Sequence, residues 1–313
     1  MAEPLKHIVE QPLATYPLES VLAGSLEERW HRYADLLKKT QSELSEKENL
    51  VHDLRVASRR LVSTIDLVKP VAGAERLVRI RKQLRRGLKV CSPLRDLQVQ
   101  VPYVRSMVLE YPALETFLTV VLLREKRVMR QIVRALQKIQ PGKMAGDLAS
   151  VAAQVRTLLS QPVVREAAHA AVVGAAGIAV LRGRERFSMI HRDDTASIHL
   201  FRVAFKKMRY TMEALRPLFP SVTEEQLKVM DNYQQKMGDI QDVEVLRASI
   251  NAYASWRHET NSPALLAVDD ELLRRRSFLI QRFMDTADDF YLFWPSELKS
   301  TTSQPYLLRT RYS

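Results

Sequence analysis

The sequence predicts an all-α protein with two similar helical bundles, and three observations support this. Nearly every long segment places its apolar residues at helical spacing, and no stretch alternates polar and apolar residues as a strand would. The breaks between segments fall at Pro or Gly, and short loops between long helices favour bundles. Related residues recur 147 positions apart, for example His52 and His199, which predicts two halves around a pseudo-twofold axis.

The individual helices are expected between these breaks. In chain order the breaks are Pro70 to Gly73, Ser92-Pro93, Tyr111-Pro112, Pro141-Gly142, Pro217 to Pro220, Ser262-Pro263 and Pro295. The first set of predicted helices lies near 26–43, 48–69, 74–91, 94–109 and 112–140. The second set lies near 143–160, 165–190, 194–216, 222–237, 240–258 and 263–292. The helical periodicity of each segment and the helix-breaking residues at its ends justify each assignment.

The length, charge and cysteine content of the chain limit the kinds of protein that it can be. A chain of 313 residues with 46% hydrophobic residues can bury a substantial core, and its net charge of +12 favours a polyanionic partner. The single Cys91 excludes an intramolecular disulfide and every Cys-based zinc motif, which favours a reducing compartment. The start of the sequence lacks the pattern of a signal peptide, and the longest apolar run, 167–181, is too short to span a bilayer. We therefore expect a cytoplasmic protein without membrane contact.

One cationic stretch occurs twice in the sequence. The sequence HDLRVASRRL begins at His52, and HLFRVAFKKM begins at His199. Two further markers follow in the same order, because SPLRDLQV at 92–99 matches GDIQDVEV at 238–245 and LLREK at 122–126 resembles LLRRR at 272–276. Three ordered matches indicate an internal duplication rather than a chance similarity.

The repeated stretch predicts a basic stripe on a helix. Residues 52, 55 and 59 project within roughly 60° of one another at ~100° per residue, and the second copy aligns 199, 202 and 206 in the same way. Like charges at these spacings cost about 0.2–0.5 kcal/mol per pair, and neighbouring acids are mostly absent. Further stripes run along 79–89 and 127–138. Each stripe alone is also typical of a solvated helix face. Together they favour a phosphate-rich ligand, since Arg binds phosphate bidentately and Lys acts as a point charge.

The two signatures, VHDLRVASRRL and IHLFRVAFKKMRYTMEAL, resemble those of the CHAD family, the conserved histidine α-helical domain. The resemblance covers about residues 20–292 and includes SPLRDLQV. It implies two four-helix-bundle-like halves related by pseudo-twofold symmetry, with a basic central groove or pore. It also implies binding of inorganic polyphosphate and association with polyphosphate granules and their proteins, without catalysis. The expected organisation is an extension at 1–19, a first bundle at 20–140, a connecting helix at 141–164, a second bundle at 165–292 and a tail at 293–313.

The resemblance also implies which residues bind polyphosphate. The primary set comprises His52, Arg55, Arg59, Arg60, His199, Arg202, Lys206, Lys207 and Arg209. A secondary set comprises Arg79, Lys82, Arg85, Arg86, Lys89, Arg130 and Arg134. No catalytic residue, metal ligand or cofactor is expected. Gln241 stands where the first copy has Arg95, so the contacts are expected to be weighted towards the first half.

Three alternative functions remain open at this stage. The aligned acids Asp96 and Asp242 would suit a phosphate-metabolising enzyme, but Asp96 is better explained as an acid early in a helix that complements the helix dipole. The charge would permit non-specific nucleic-acid binding, although aromatic residues are only 7% and do not interleave with the basic stripes. An adaptor for an acidic protein is the third class.

Overall fold

The computed structural model describes residues 17–44, 49–73 and 75–299, except for the side chain of Lys299. Within these residues no β-strand is present, and only an isolated bridge joins His191 to Asp194. The all-α prediction is therefore confirmed. Most of the predicted extension at 1–19 and of the tail at 293–313 lies outside the described residues.

Ten α-helices follow one another in the described part of the chain. They are α1 (Ser25–Glu43), α2 (Leu50–Ala72), α3 (Glu75–Met107), α4 (Leu114–Leu136), α5 (Pro141–Leu159), α6 (Pro162–Phe187), α7 (Thr195–Leu215), α8 (Glu224–Arg257), α9 (Pro263–Met284) and α10 (Ser296–Lys299). A π-helical turn, Ser20–Gly24, precedes α1, and 3₁₀ turns occupy Arg216–Leu218 and Ala287–Phe293.

The helices form two sets of similar order on either side of α5. In each set the second helix packs against the first and third helices, and the third helix packs against the fourth. The third helices, α3 and α8, are the longest, with 33 and 34 residues. Across the two sets, α2 packs against α7, and these two helices contain the two copies of the repeated cationic stretch.

Three predicted helix ends were wrong, because the helices continue through the expected breaks. Helix α3 runs through Pro93, α8 runs through Gly238, and α2 extends past Pro70 to Ala72. A proline inside a helix costs about 3 kcal/mol. In α3 the buried positions on both sides of Pro93, including Cys91 and Leu94, continue along one face. Burial of that continuous apolar face offsets the missing hydrogen bond.

Two hydrophobic clusters hold the helices together. The larger one joins α1, α2, α5, α6 and α7 to the N-terminal halves of α3 and α8, and it contains a group of packed aromatic rings around Phe201, Phe205 and Tyr233. The smaller one joins the C-terminal halves of α3 and α8 to α4 and α9. The first part of the predicted tail belongs to the larger cluster, since Phe293 and Leu298 are buried.

Helix α6 is long and apolar enough to cross a membrane by length and composition. Only 28% of its most apolar 18-residue stretch is buried within the protein. It packs along α7, and its buried residues, including Val172 and Ala176, belong to the larger hydrophobic cluster. One helix of this kind does not establish a membrane span, because helices in the core of a folded protein can be equally long and apolar.

Candidate functional site

The packing of α2 against α7 brings five basic side chains together. His52, Arg55 and Arg59 come from α2, and Arg202 and Lys206 come from α7. Charge interactions connect Arg59 to the other four members, across the two helices. We call these five residues the interhelix cation cluster. Such a concentration of like charge is unfavourable in the absence of an anion.

Lys206 is the member whose charge is most strongly disfavoured. Burial lowers its pKa to about 6, and the charges of Arg59, Arg202, Arg209 and Arg55 act in the same direction. No acid in the described part of the chain forms an ion pair with it. Most Lys206 amines are therefore neutral at pH 7 in the ligand-free protein.

Arg55 is fixed in position by the third helix. Its Nη1 donates hydrogen bonds to the carbonyl oxygen of Leu88 at 2.9 Å and to Oγ of Ser92 at 2.7 Å. Burial lowers its pKa to about 10, and Arg59 adds to this effect. The guanidinium remains charged at neutral pH, and its hydrogen bonds restrict its orientation.

Arg202 occupies the matching place in the second half. A Cβ at Gly238 would lie 3.5 Å from its Nη2, so the guanidinium rests against α8, and Gly238 aligns with Ser92 in the sequence repeat. Burial lowers the pKa of Arg202, while Asp242 opposes this shift. Its Nε is buried and has no hydrogen-bond partner among the residues that the structure describes. Arg202 thus retains an unused donor beside the cluster.

Arg95 is a residue that the site prediction missed. It is half-buried on α3, and its charge acts on His52, Arg55 and Asp242. Partial burial lowers the pKa of His52, although the residue as a whole is exposed, and Arg95 is the strongest charge that adds to this shift. The sequence signal was available, because Arg95 lies within the SPLRDLQV marker of the duplication, and its replacement by Gln241 in the second copy already led us to expect fewer ligand contacts there.

The two aligned acids lie beside the cluster. Burial raises the pKa of Asp96, and Arg55 opposes the shift; burial raises the pKa of Asp242, and Arg202 opposes that shift. Asp96 lies well inside α3, so the explanation of this acid as a partner of a helix N-terminus was wrong. Each acid instead partly balances the arginine of its own half.

Two of the remaining primary residues, Arg60 and Arg209, pair with acids outside the cluster, although the charge of Arg209 also acts on Lys206. Nε of Arg60 pairs with Oε1 of Glu213 at 2.8 Å. Arg209 is buried, pairs with Asp231 at 2.8 Å and lies over the ring of Tyr210. Both arginines line a hollow of about 460 Å³ that also contains four acids. Each of the two already pairs with an acid, so they are weaker candidates for phosphate contacts than the cluster.

The other two primary residues are on the surface. His199 and Lys207 are both exposed, and neither forms an ion pair within the described residues. Their accessibility is compatible with contact to an extended ligand. They do not join the group of charges that act on Lys206 most strongly.

The secondary residues lie on other surfaces. Lys82, Arg85 and Lys89 line a hollow of about 570 Å³ together with Lys69, Asp66, Val78, Arg81 and Arg86. Arg81 pairs there with Asp66. Arg79 and Arg86 line a separate hollow between α3, α4 and α5. Arg130 and Arg134 are exposed on α4. A role for these residues in binding stays a prediction.

The described residues contain no group of three or more His, Cys, Asp or Glu side chains that could hold a metal ion. The buried Cys91 has a pKa raised by burial to about 11, so its thiol stays protonated at neutral pH. The geometry of the cluster therefore offers positive charge and hydrogen-bond donors, which suit an anion.

Comparison with known proteins identifies the fold. Two solved structures match almost the whole fold. The CHAD domain from the plant Ricinus communis has a TM-score of 0.67 and 17% sequence identity, with 88% of this chain and 93% of that chain covered. PptA from Streptomyces chartreusis has a TM-score of 0.64 and 15% identity, with 88% of this chain and 100% of that chain covered. No curated protein sequence matches the chain.

The sequence itself matches a family model. The model is that of the CHAD domain, and the match extends over residues 29–251, which include both helices of the interhelix cation cluster. These residues make up more than half of the chain. The chain therefore belongs to the CHAD domain family.

Proposed function

We propose that this protein binds inorganic polyphosphate without catalysing its conversion, and that the interhelix cation cluster is the main binding site. The observation that carries the proposal is the position of Lys206, a half-buried lysine surrounded by Arg55, Arg59 and Arg202 with no acid paired to it. The family's relation to polyphosphate binding supports the same ligand.

The physical argument concerns the charge that the cluster lacks. Bringing like charges together in a partly dehydrated site costs free energy. A bound anion offsets this cost because its own interactions with the cations are favourable. Arginine forks can contact two phosphate oxygens at once. A chain of phosphates offers a negative charge at every unit, so one ligand can neutralise several members of the cluster. Exposed residues nearby, such as His199 and Lys207, would extend the contact along the ligand.

Cytoplasmic residence and association with polyphosphate granules follow as parts of the same proposal. A protein that holds one polyphosphate chain in a non-catalytic manner would accumulate wherever that polymer is concentrated. The granule proteins would then be neighbours through the shared polymer. Imaging of a tagged wild-type protein and a binding-deficient variant in cells that form granules would test this part.

The direct test is a binding measurement with matched variants. We expect long-chain polyphosphate to bind the wild-type protein and the double variant Arg59→Glu, Lys206→Glu to lose binding while it keeps its helical circular dichroism spectrum. The control Arg165→Glu changes an exposed cation of α6 and should bind normally. Retention of wild-type affinity by the double variant would refute the site.

Competition identifies the class of polyanion. Polyphosphate and single-stranded RNA of equal total charge are compared as competitors for the same labelled ligand. We expect polyphosphate to compete more strongly, because the cluster offers no aromatic platform on which bases could stack. If all five members of the cluster contact phosphate in their protonated forms, the slope of log K against log salt should be about −3.5, at ~0.7 per contact. Stronger competition by RNA would favour the nucleic-acid function instead.

A further inference from the structure

A hollow between α3, α4 and α5 lies apart from the interhelix cation cluster. Its volume is about 520 Å³, which falls within the ~300–1,000 Å³ that small-molecule sites typically occupy. Gln83 and Gly87 of α3 face it from one side, and the segment from Ala135 to Asp147 closes the other side. The hollow is therefore large enough for an organic ligand rather than for an ion alone.

The walls of this hollow are largely apolar. The apolar side chains come from all three helices and the turn between α4 and α5: Ile80, Val90, Ala135, Leu136, Ile139 and Met144. Val90 is 37% exposed, so part of this apolar wall is open to solvent. An occupant with an apolar body would remove this surface from water at about 25 cal/mol per Å².

Four cations stand around the same hollow. Arg79 and Arg86 come from α3, and Lys138 and Lys143 come from the α4–α5 side. None of the four forms an ion pair with a residue that the structure describes. The one acid in the wall, Asp147, lies 3.9 Å from Arg76 and is thus shared with a fifth cation. The hollow has a clear excess of positive charge.

A glycine lies in the same surface. Gly87 is in the middle of α3, where glycine costs about 1 kcal/mol relative to alanine. No atom lies within 4 Å of the position that its Cβ would occupy. Packing inside the protein therefore does not require a glycine here, and a larger side chain would start from open space in the wall of the hollow.

We propose that this hollow binds an amphiphilic anion, a phosphate or carboxylate head group on an alkyl body. The head group would contact Arg79, Arg86, Lys138 or Lys143, and the alkyl body would cover the apolar wall. Inorganic polyphosphate has no apolar part with which to cover this wall, so the ligand belongs to a class different from that of the proposed function. A free amphiphile and the end of a membrane lipid share this chemistry.

The first experiment separates the contributions of head and body. Titration calorimetry compares decyl phosphate, kept below its critical micelle concentration, with inorganic phosphate and with decanol. We expect decyl phosphate to bind at least about tenfold more tightly than either fragment, because it alone uses both the cations and the apolar wall. Equal affinity of inorganic phosphate would overturn the proposal, since the wall would then contribute nothing.

The second experiment fills the hollow. Gly87→Leu places a side chain in it and should abolish decyl phosphate binding, while the melting temperature stays equal or rises because leucine favours the helix. The matched control is Gly174→Leu on α6, where likewise no atom lies within 4 Å of the added Cβ. The control should bind normally. Unchanged binding by a folded Gly87→Leu variant contradicts the site.

Two further experiments determine where the amphiphile binds and whether it comes from a membrane. Decyl phosphate binding should be unchanged in Arg59→Glu, which removes a member of the interhelix cation cluster; a loss there would mean that the amphiphile uses the polyphosphate site. Sedimentation with phosphatidate-containing vesicles tests the lipid source. The proposal would be contradicted if monomeric decyl phosphate does not bind and if Gly87→Leu binds the vesicles as well as wild type does. Vesicle binding would then come from general attraction to the membrane surface and not from the hollow.

Discussion

The interhelix cation cluster and the basic face of α3, which we define as Lys82, Arg85 and Lys89, contain the same kinds of side chain in different surroundings. The three α3 residues are exposed, and water solvates their charges. In the cluster, Arg55, Arg59, Arg202 and Lys206 are partly withdrawn from water and act on one another across α2 and α7. The comparison shows that the proposed binding site differs from an ordinary charged helix face by desolvation, which the density of Lys and Arg in the sequence does not reveal.

The largest expected effect comes from matched charge reversals in the two regions. We expect Arg59→Glu to weaken polyphosphate binding about 100-fold, because charge-assisted contacts in a partly desolvated site are worth up to about 3 kcal/mol. Lys82→Glu makes the same change of charge at an exposed position and should weaken binding about threefold or less. Fluorescence anisotropy with labelled polyphosphate measures both. Equal losses would remove the distinction between the regions.

The pH dependence of stability probes the desolvation directly. Lys206 titrates near 6 in the folded protein and near 10.5 when unfolded. The unfolded chain binds more protons between these values, so this residue makes the free energy of unfolding rise with pH across that window. Lys206→Met removes the titrating group, and its stability advantage over wild type should shrink from pH 7 to pH 10. Urea unfolding of both proteins measures this, with Lys82→Met as the exposed control. An advantage independent of pH would contradict the burial argument.

Proton uptake should accompany ligand binding at the cluster. A phosphate chain beside Lys206 and His52 favours their charged forms and opposes the effects that lower both pKa values. At pH 7.5 we expect an uptake approaching about one proton, and affinity should rise as the pH falls towards 6. Calorimetry in buffers of different ionisation enthalpy measures the uptake. Lys206→Met should lose most of it, and an unchanged value in this variant would assign the uptake to another group.

The smallest effect is expected at Arg60, the neighbour of Arg59. Arg60 is paired with Glu213, and its side chain is 41% exposed. Arg60→Gln should therefore cost at most about 1 kcal/mol of stability and change polyphosphate affinity less than Arg59→Gln does. Thermal unfolding and anisotropy on this adjacent pair provide the comparison. A greater loss of affinity in Arg60→Gln would extend the site beyond the cluster to the Glu213 side.

The sequence predicted the helical fold and the two helices of the site because these depend on local periodicity and on a repeated motif. It failed where long-range packing decides. Pro93 and Gly238 have high breaking propensity, yet each lies within a helix whose apolar face continues on both sides. The set of predicted binding residues included Arg209, whose acidic partner Asp231 is 22 positions away in sequence, and did not include Arg95, which acts on the cluster from a different helix; binding by either residue stays a prediction.

The anchoring of the C-terminal segment has a practical consequence for anyone who wishes to produce this domain. The residues that match the family end at 251, but Phe283, Phe290 and Leu298 are buried well beyond that point, and Glu297 accepts a hydrogen bond from the backbone N–H of Ser221. A chain trimmed to the matched residues would expose a broad aromatic surface and would be prone to aggregate. Expression boundaries should therefore be drawn after residue 298.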